Sequence, residues 1–288
     1  MATKQITTWD EFKTALTETI TENTTYEIMN DIDVSGEVIA ESITIWGSSS
    51  YKKTVNGNNY EINGLTTYSL STIFTISNTN IEFINLHFSN MMIPNARLLG
   101  TINSNHVTFT KCLFNGIINS FSYCTVSSSS VTNSNRYLVF DMCSINIDCI
   151  RLVDNQYSYQ YAYFTNCYII LSRKSNRTQG TNIFSTWSVF NNCYIGGEYK
   201  YNGIVDFGYY SRNVKFYTNC VININLFANS CYFGYADTSL FNSDKLKNYS
   251  GTDSITPTSQ YSTWYGLTDT QLKSKTYIQE NTNFPLYG

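Results

Sequence analysis

Six times along the middle of the chain, an aromatic residue is followed three positions later by a cysteine or a leucine. The segments are FINLHF, FTKCLF, FDMCSI, FTNCYI, FNNCYI and YTNCVI. Their paired positions are Phe83 and Leu86, Phe109 and Cys112, Phe140 and Cys143, Phe164 and Cys167, Phe190 and Cys193, and Tyr217 and Cys220, with successive units roughly 24 to 31 residues apart. A catalytic motif has no reason to recur in this way. A repeat of this period is a supersecondary unit that buries its apolar face only by stacking on its neighbours.

Each unit reads as strand, corner, strand. In FTNCYIIL, Cys167 and Ile169 alternate with Tyr168 and Ile170, which is the period of a strand. The step of three from Phe164 to Cys167 breaks the alternation and places a bend between two strands. Asn166, Asn192 and Asn219 stand directly before their cysteines, and asparagine tolerates the backbone angles of a tight corner. The period is too short for a four-stranded propeller blade, and leucine-rich and helical repeat signatures are missing. The expected fold is all-β: a right-handed parallel β-helix of about eight coils stacked at roughly 4.8 Å. Equivalent residues then form columns, and the aromatic and cysteine positions become rungs of an internal ladder.

Composition agrees. Charged residues are 14% of the chain, aromatic residues 16%, and 24 tyrosines and 17 phenylalanines sit among abundant Asn, Ser and Thr, a strand-forming palette. A net charge of -3 with 18 basic residues offers no basic stripe for phosphates, so nucleic acid is not an expected partner. The opening MATKQITTWDEFKTAL carries Asp10 and Glu11 where a secretion signal would be apolar, and no stretch approaches a membrane span. The expectation is a chain that folds where it is made, its eight cysteines buried thiols without the close CxxC pairing of zinc or redox sites. Cys124, Cys149 and Cys231 fall off the ladder.

The ends read as caps. Thr8 with Glu11 forms a capping box ahead of a short helix that places Trp9, Phe12 and Leu16 on one face. Thr268 with Gln271 repeats that signature in GLTDTQL, within a segment rich in Ser, Thr, Gly and Pro. The expected division is an N-terminal cap over 1–24, the solenoid over 25–243, and an irregular tail or docking segment over 244–288.

The stretch TVNGNNYEING at 54–64 resembles the opening coils of right-handed parallel β-helix proteins of the pectin-lyase-like superfamily, with Asn56 and Asn59 where that pattern usually has Asp and Gly. The helix-then-strand opening, TTWDEFKTAL followed by TYEIMNDIDV, is similar to bacteriophage and bacterial members of that group. The resemblance implies a tail-spike-like or fibre-like virion protein made in the host cytoplasm and serving attachment or assembly. Its implied partners are other virion proteins, further copies of itself in a trimer, and a host surface glycan. A polysaccharide depolymerase on the same scaffold and a bacterial surface adhesin are the alternatives.

Catalytic marks of the galacturonase-like branch, an Asp-Asp pair, an Asn-Thr-Asp run and a Gly-His-Gly, do not occur, and His87 and His106 read as single strand or turn residues. Asp141, Asp148, Asp154, Glu198 and Asp206 are carboxylates that stacking could bring together, a spacing the sequence does not supply. No catalytic residue, metal or cofactor is assigned. The runs NQYSYQYAYF and FGYYSRN place Tyr157, Tyr159, Tyr161, Tyr163, Tyr209 and Tyr210 as candidate surface contacts, suited to a sugar, a neighbouring subunit or plain sheet surface.

Overall fold

A computed structural model of the chain describes residues 1–48, 50–77, 80–100, 106–122, 136–150, 152–153, 161–173, 188–199, 215–216, 219–227, 238–247 and 263–284. The repeat produces a parallel β-solenoid with short helices near both termini. One sheet stacks nine strands in chain order: Ala2–Ile6, Thr24–Ile28, Lys52–Asn56, Asn80–Ile84, His106–Thr110, Arg136–Asp141, Tyr161–Thr165, Ser188–Asn191 and Lys215–Phe216. The second sheet stacks Glu61–Asn63, His87–Leu99, Leu113–Ser120, Ser144–Cys149, Tyr168–Arg173, Tyr194–Tyr199 and Cys220–Phe227 in the same order. Between Asn80 and Phe227 each coil contributes one strand to each sheet, whereas the two coils before it each add a further strand, Ile43–Trp46 and Thr72–Ser77, to the second. Successive coils pair in parallel, as in Phe109↔Phe140 and Tyr168↔Tyr194.

The alternation read in FTNCYIIL holds. Phe164, Cys167, Ile169 and Leu171 are buried, while Asn166 and Tyr168 are exposed. The corner between the sheets takes a left-handed residue in six successive coils: Asn85, Lys111, Met142, Asn166, Asn192 and Asn219 all have φ between 49° and 55°. Asparagine suits that conformation, whereas a lysine or methionine meets its Cβ clash there. Met142→Asn and Lys111→Asn are therefore each expected to stabilise the fold by about 1 kcal/mol. Urea titrations of the single variants would read it, and an unchanged midpoint would contradict it. At Gly57 a glycine is needed for a different reason. In TVNGNNYEING, a Cβ on Gly57 would lie 2.4 Å from the Asn85 carbonyl oxygen of the next coil.

The first helix, α1, spans Trp9–Thr17 with Thr8 as N-cap and the Thr8/Glu11 capping box in place. It buries Trp9, Phe12, Ala15 and Leu16 over the end of the solenoid. A strand, Ala2–Ile6, precedes it and pairs in register with Thr24–Ile28. That strand is weakly written, because Ile6 is its single fully buried side chain. Lys53 fastens the helix from within. It is wholly buried, and the three N–H donors of its Nζ are shared among the carbonyls of Ala15 (2.7 Å), Leu16 (3.0 Å), Glu18 (2.9 Å) and Trp46 (2.7 Å). Those are the open carbonyls at the end of α1 plus one from the strand beneath.

At the other end, Thr238–Asn242 and Thr263–Leu267 extend the second sheet in parallel register, so strand stacking continues past Asp244. The helices α2 (Asp269–Leu272), with its Thr268/Gln271 capping box, and α3 (Lys275–Asn281) follow. Leu240, Leu267, Ile278 and Phe284 form a small apolar cluster separate from the main core.

Candidate functional site

The repeated residues form the column that the repeat spacing implies. Phe83, Phe109, Phe140, Phe164 and Phe190 stack ring on ring with centroids 5.0, 5.1, 4.8 and 4.9 Å apart and planes within 14° of parallel. Each such pair adds about 0.5–1.5 kcal/mol beyond its area burial. Beside them run Leu86, Cys112, Cys143, Cys167, Cys193 and Cys220, all buried. In the last coil Phe190 is in register with Phe216, and Tyr217, the residue expected there, lies outside the described residues.

The cysteines also use a property beyond size. The thiols of Cys112, Cys143, Cys167 and Cys193 lie 3.4, 3.3, 3.4 and 3.3 Å from the carbonyl oxygens of Phe83, Phe109, Phe140 and Phe164, one coil earlier. A thiol is a weak donor that an apolar interior accepts, so it can serve these carbonyls where alanine or valine could not. Burial pushes Cys220 up to about 12 and raises Cys193, and contact with the thiols above and below, then burial, raises Cys143. Hydrogen bonds with the Cys143 and Cys193 thiols lower Cys167 instead, so what keeps the ladder unreactive is its burial. At most two thiols per native chain, those of Cys124 and Cys231 outside the described residues, are expected to react with an aromatic disulfide reagent at neutral pH, and at least six in denaturant. Fewer than six in denaturant would reveal disulfides that the buried free thiols exclude.

The candidate carboxylates do not assemble as a group. Asp141 stands at the corner and accepts from the Asn166 amide at 3.2 Å. Asp148 and Glu198 occupy the same register position two coils apart, with Ser172 between them. Asp154 and Asp206 lie outside the described residues. Among the described residues, no three His, Cys, Asp or Glu side chains are placed to hold a metal ion. His87 lies on a strand between Glu61 and Leu113, and His106 begins the next coil. Of the tyrosine runs, Tyr163 is half-buried on the first sheet, between Val139 and Val189. Tyr161 is placed only by its register with Arg136, and Tyr157, Tyr159, Tyr209 and Tyr210 lie outside the described residues.

A different pair of tyrosines forms the most developed surface feature. Tyr168 and Tyr194 each follow a ladder cysteine directly, point outward, and stack at 4.9 Å with planes 10° apart. The Tyr194 ring leans along the sheet over Gly196, where an added Cβ would come within 2.6 Å of it. Asn223 Nδ2 fixes its hydroxyl at 2.9 Å, and Asn242 in turn holds Asn223 at 2.9 Å. Burial raises the Tyr194 phenol above its ordinary range, so it remains neutral. Next to this stack runs the amide column of the corner, where Asn192 donates to Asn166 at 2.7 Å. Stack and corner line a groove of about 340 Å³, closed at one side by Val221 and Phe284. Among the described residues its lining is aromatic rings, corner amides, Val221 and the ladder residues Cys167 and Cys193, with no carboxylate, lysine or arginine.

No protein-family model, curated protein or solved structure matches this chain.

Proposed function

We propose that the protein is a non-enzymatic appendage component of a virus particle, of the bacteriophage tail-spike or fibre type, serving attachment or assembly. The observation that carries this reading is the uninterrupted register of the inner column, in which Phe83 to Phe190 stack without a break. A continuous ladder of rings and paired strands makes a stiff rod, the mechanical property that an appendage needs to hold a surface away from its base. The recurring residues of the sequence are used in building that rod. The resemblance of TVNGNNYEING and of the helix-led opening to phage β-helix proteins supplies the specific context. Self-association into a trimer belongs to the same reading, and solution mass measurement checks it.

A polysaccharide depolymerase is the second reading. It is favoured by the shared column of Asp148 and Glu198, two carboxylate residues separated by a single coil. Incubation with purified host glycans separates the two. The appendage reading predicts no new reducing ends. Turnover that disappears in Asp148→Asn would replace it with the enzymatic one.

A further inference from the structure

We propose that the groove beside Tyr168 and Tyr194 is a binding site for a neutral carbohydrate, with the Tyr168 ring as its stacking platform. This deepens the attachment reading and rests on it for its purpose, but the ligand chemistry follows from the groove alone. Tyr168 is 53% exposed although one face of its ring is covered by Tyr194. On the other side its register neighbour is Ser144, a side chain too small to cover a phenol ring. An aromatic face held flat and left open is a costly thing to expose in water unless something stacks on it.

The surroundings are organised around that stack. Gly196 makes room for the Tyr194 ring, Asn223 holds its hydroxyl, and Tyr168 lies on the platform so formed. Asn166 and Asn192 supply amides at the rim; Asn192 donates to Asn166 and Asn166 to Asp141, and the second N–H and second lone pair of each amide leave capacity for a ligand. Rings with hydroxyl tips, amides of both polarities and an uncharged lining match a ligand with apolar ring faces and many hydroxyls. They do not match an anion, which would call for a cation or a cluster of N–H donors, nor a cation, which would call for a carboxylate.

Size decides between a sugar and a protein. A cavity of about 340 Å³ falls at the small end of the range for small-molecule sites. A stable protein interface requires about 800 Å² from each partner, far more than two rings and a pair of amides present. The corner amides run over three coils, Asn166, Asn192 and Asn219, while the tyrosine stack spans two, with Ser144 and Val221 holding the positions on either side.

The test is calorimetric titration of the whole chain with neutral hexasaccharides of glucose, mannose and galactose, and with oligogalacturonate as the charged comparison. Saturable binding of at least one neutral oligosaccharide is expected, weakened tenfold or more in Tyr168→Ala and changed by less than about threefold in Tyr168→Phe, which keeps the ring. Tyr68→Ala, at an exposed tyrosine several coils away, should leave affinity unchanged. Because Tyr168 is outward and half-exposed, both variants should melt with the parent, and the Phe variant separates ring loss from misfolding. The proposal is overturned if no neutral oligosaccharide binds, if oligogalacturonate alone binds, or if Tyr168→Ala binds as the parent does. It is equally overturned if Tyr168→Ala lowers the solution mass, which would make the groove a contact between chains. Binding through Tyr168 accompanied by new reducing ends would sink the non-catalytic reading while supporting the site.

Discussion

Lys53→Met is expected to lower the stability of the folded chain by about 3–5 kcal/mol and to loosen α1 from the first coils. Two opposing quantities set that figure. Burial pushes the Lys53 ammonium down to about 8, which corresponds to a desolvation cost of about 3 kcal/mol that methionine would recover. Against this, three N–H donors shared among four carbonyl oxygens are lost, at about 1–3 kcal/mol for each bond left unmade in a buried place. The second sum is larger. The ammonium also lies 5.7 Å from the Tyr26 ring centroid, and Tyr26 in turn donates to Glu18, so the loss extends into a connected polar group. Amide hydrogen exchange should show α1 opening before the strands from residue 80 onward. An unchanged melting curve together with unchanged exchange in α1 would remove Lys53 from its fastening role.

Phe140→Ala should cost about 3–5 kcal/mol, the usual range for a phenylalanine deleted from a packed interior. Phe140 occupies the middle of the column, stacked on Phe109 and Phe164 and in edge or tilted contact with Phe114 and Phe121. The surrounding strands are pinned by ladder hydrogen bonds on both sides and cannot collapse into the space. In a solenoid each coil touches only its neighbours, so the loss should be read locally. Exchange protection should fall first in Arg136–Asp141 and Tyr161–Thr165, with Thr24–Ile28 little affected. Cys167→Ala, by comparison, removes one small group and a weak donor, and about 1 kcal/mol is expected. Equal losses for the two substitutions would mean that the aromatic column is not the main source of cohesion.

Legibility in the sequence followed the columns. Phe109, Phe140, Phe164 and Phe190 could be aligned because a parallel solenoid turns sequence period directly into spatial contact. The capping boxes at Thr8 and Thr268 were legible because capping is local. Lys53 was not, since a lysine in KKTVNG reads as a surface charge, and its acceptors come from α1 and Trp46, segments joined only by folding. Tyr217 keeps the step of three to Cys220 but lies outside the described residues, and Phe190 is in register with Phe216, four residues before Cys220. The groove was missed for another reason. Dense tyrosine runs drew attention, whereas Tyr168 and Tyr194 are single residues whose signal is their shared place directly after a ladder cysteine. The α3 helix, in a tail expected to be irregular, carries a mixed pattern with Ile278 as its one buried residue.

The central claim is that residues one coil apart in sequence stand one above another in space. Anomalous scattering from the native sulfur atoms of crystals tests it most directly, without substitution or label. The sulfur atoms of Cys112, Cys143, Cys167, Cys193 and Cys220 should fall in a single file, spaced at roughly the 4.8 Å of neighbouring strands. Sulfur positions scattered through the molecule, or paired as disulfides across it, would contradict the solenoid and every role assigned from it.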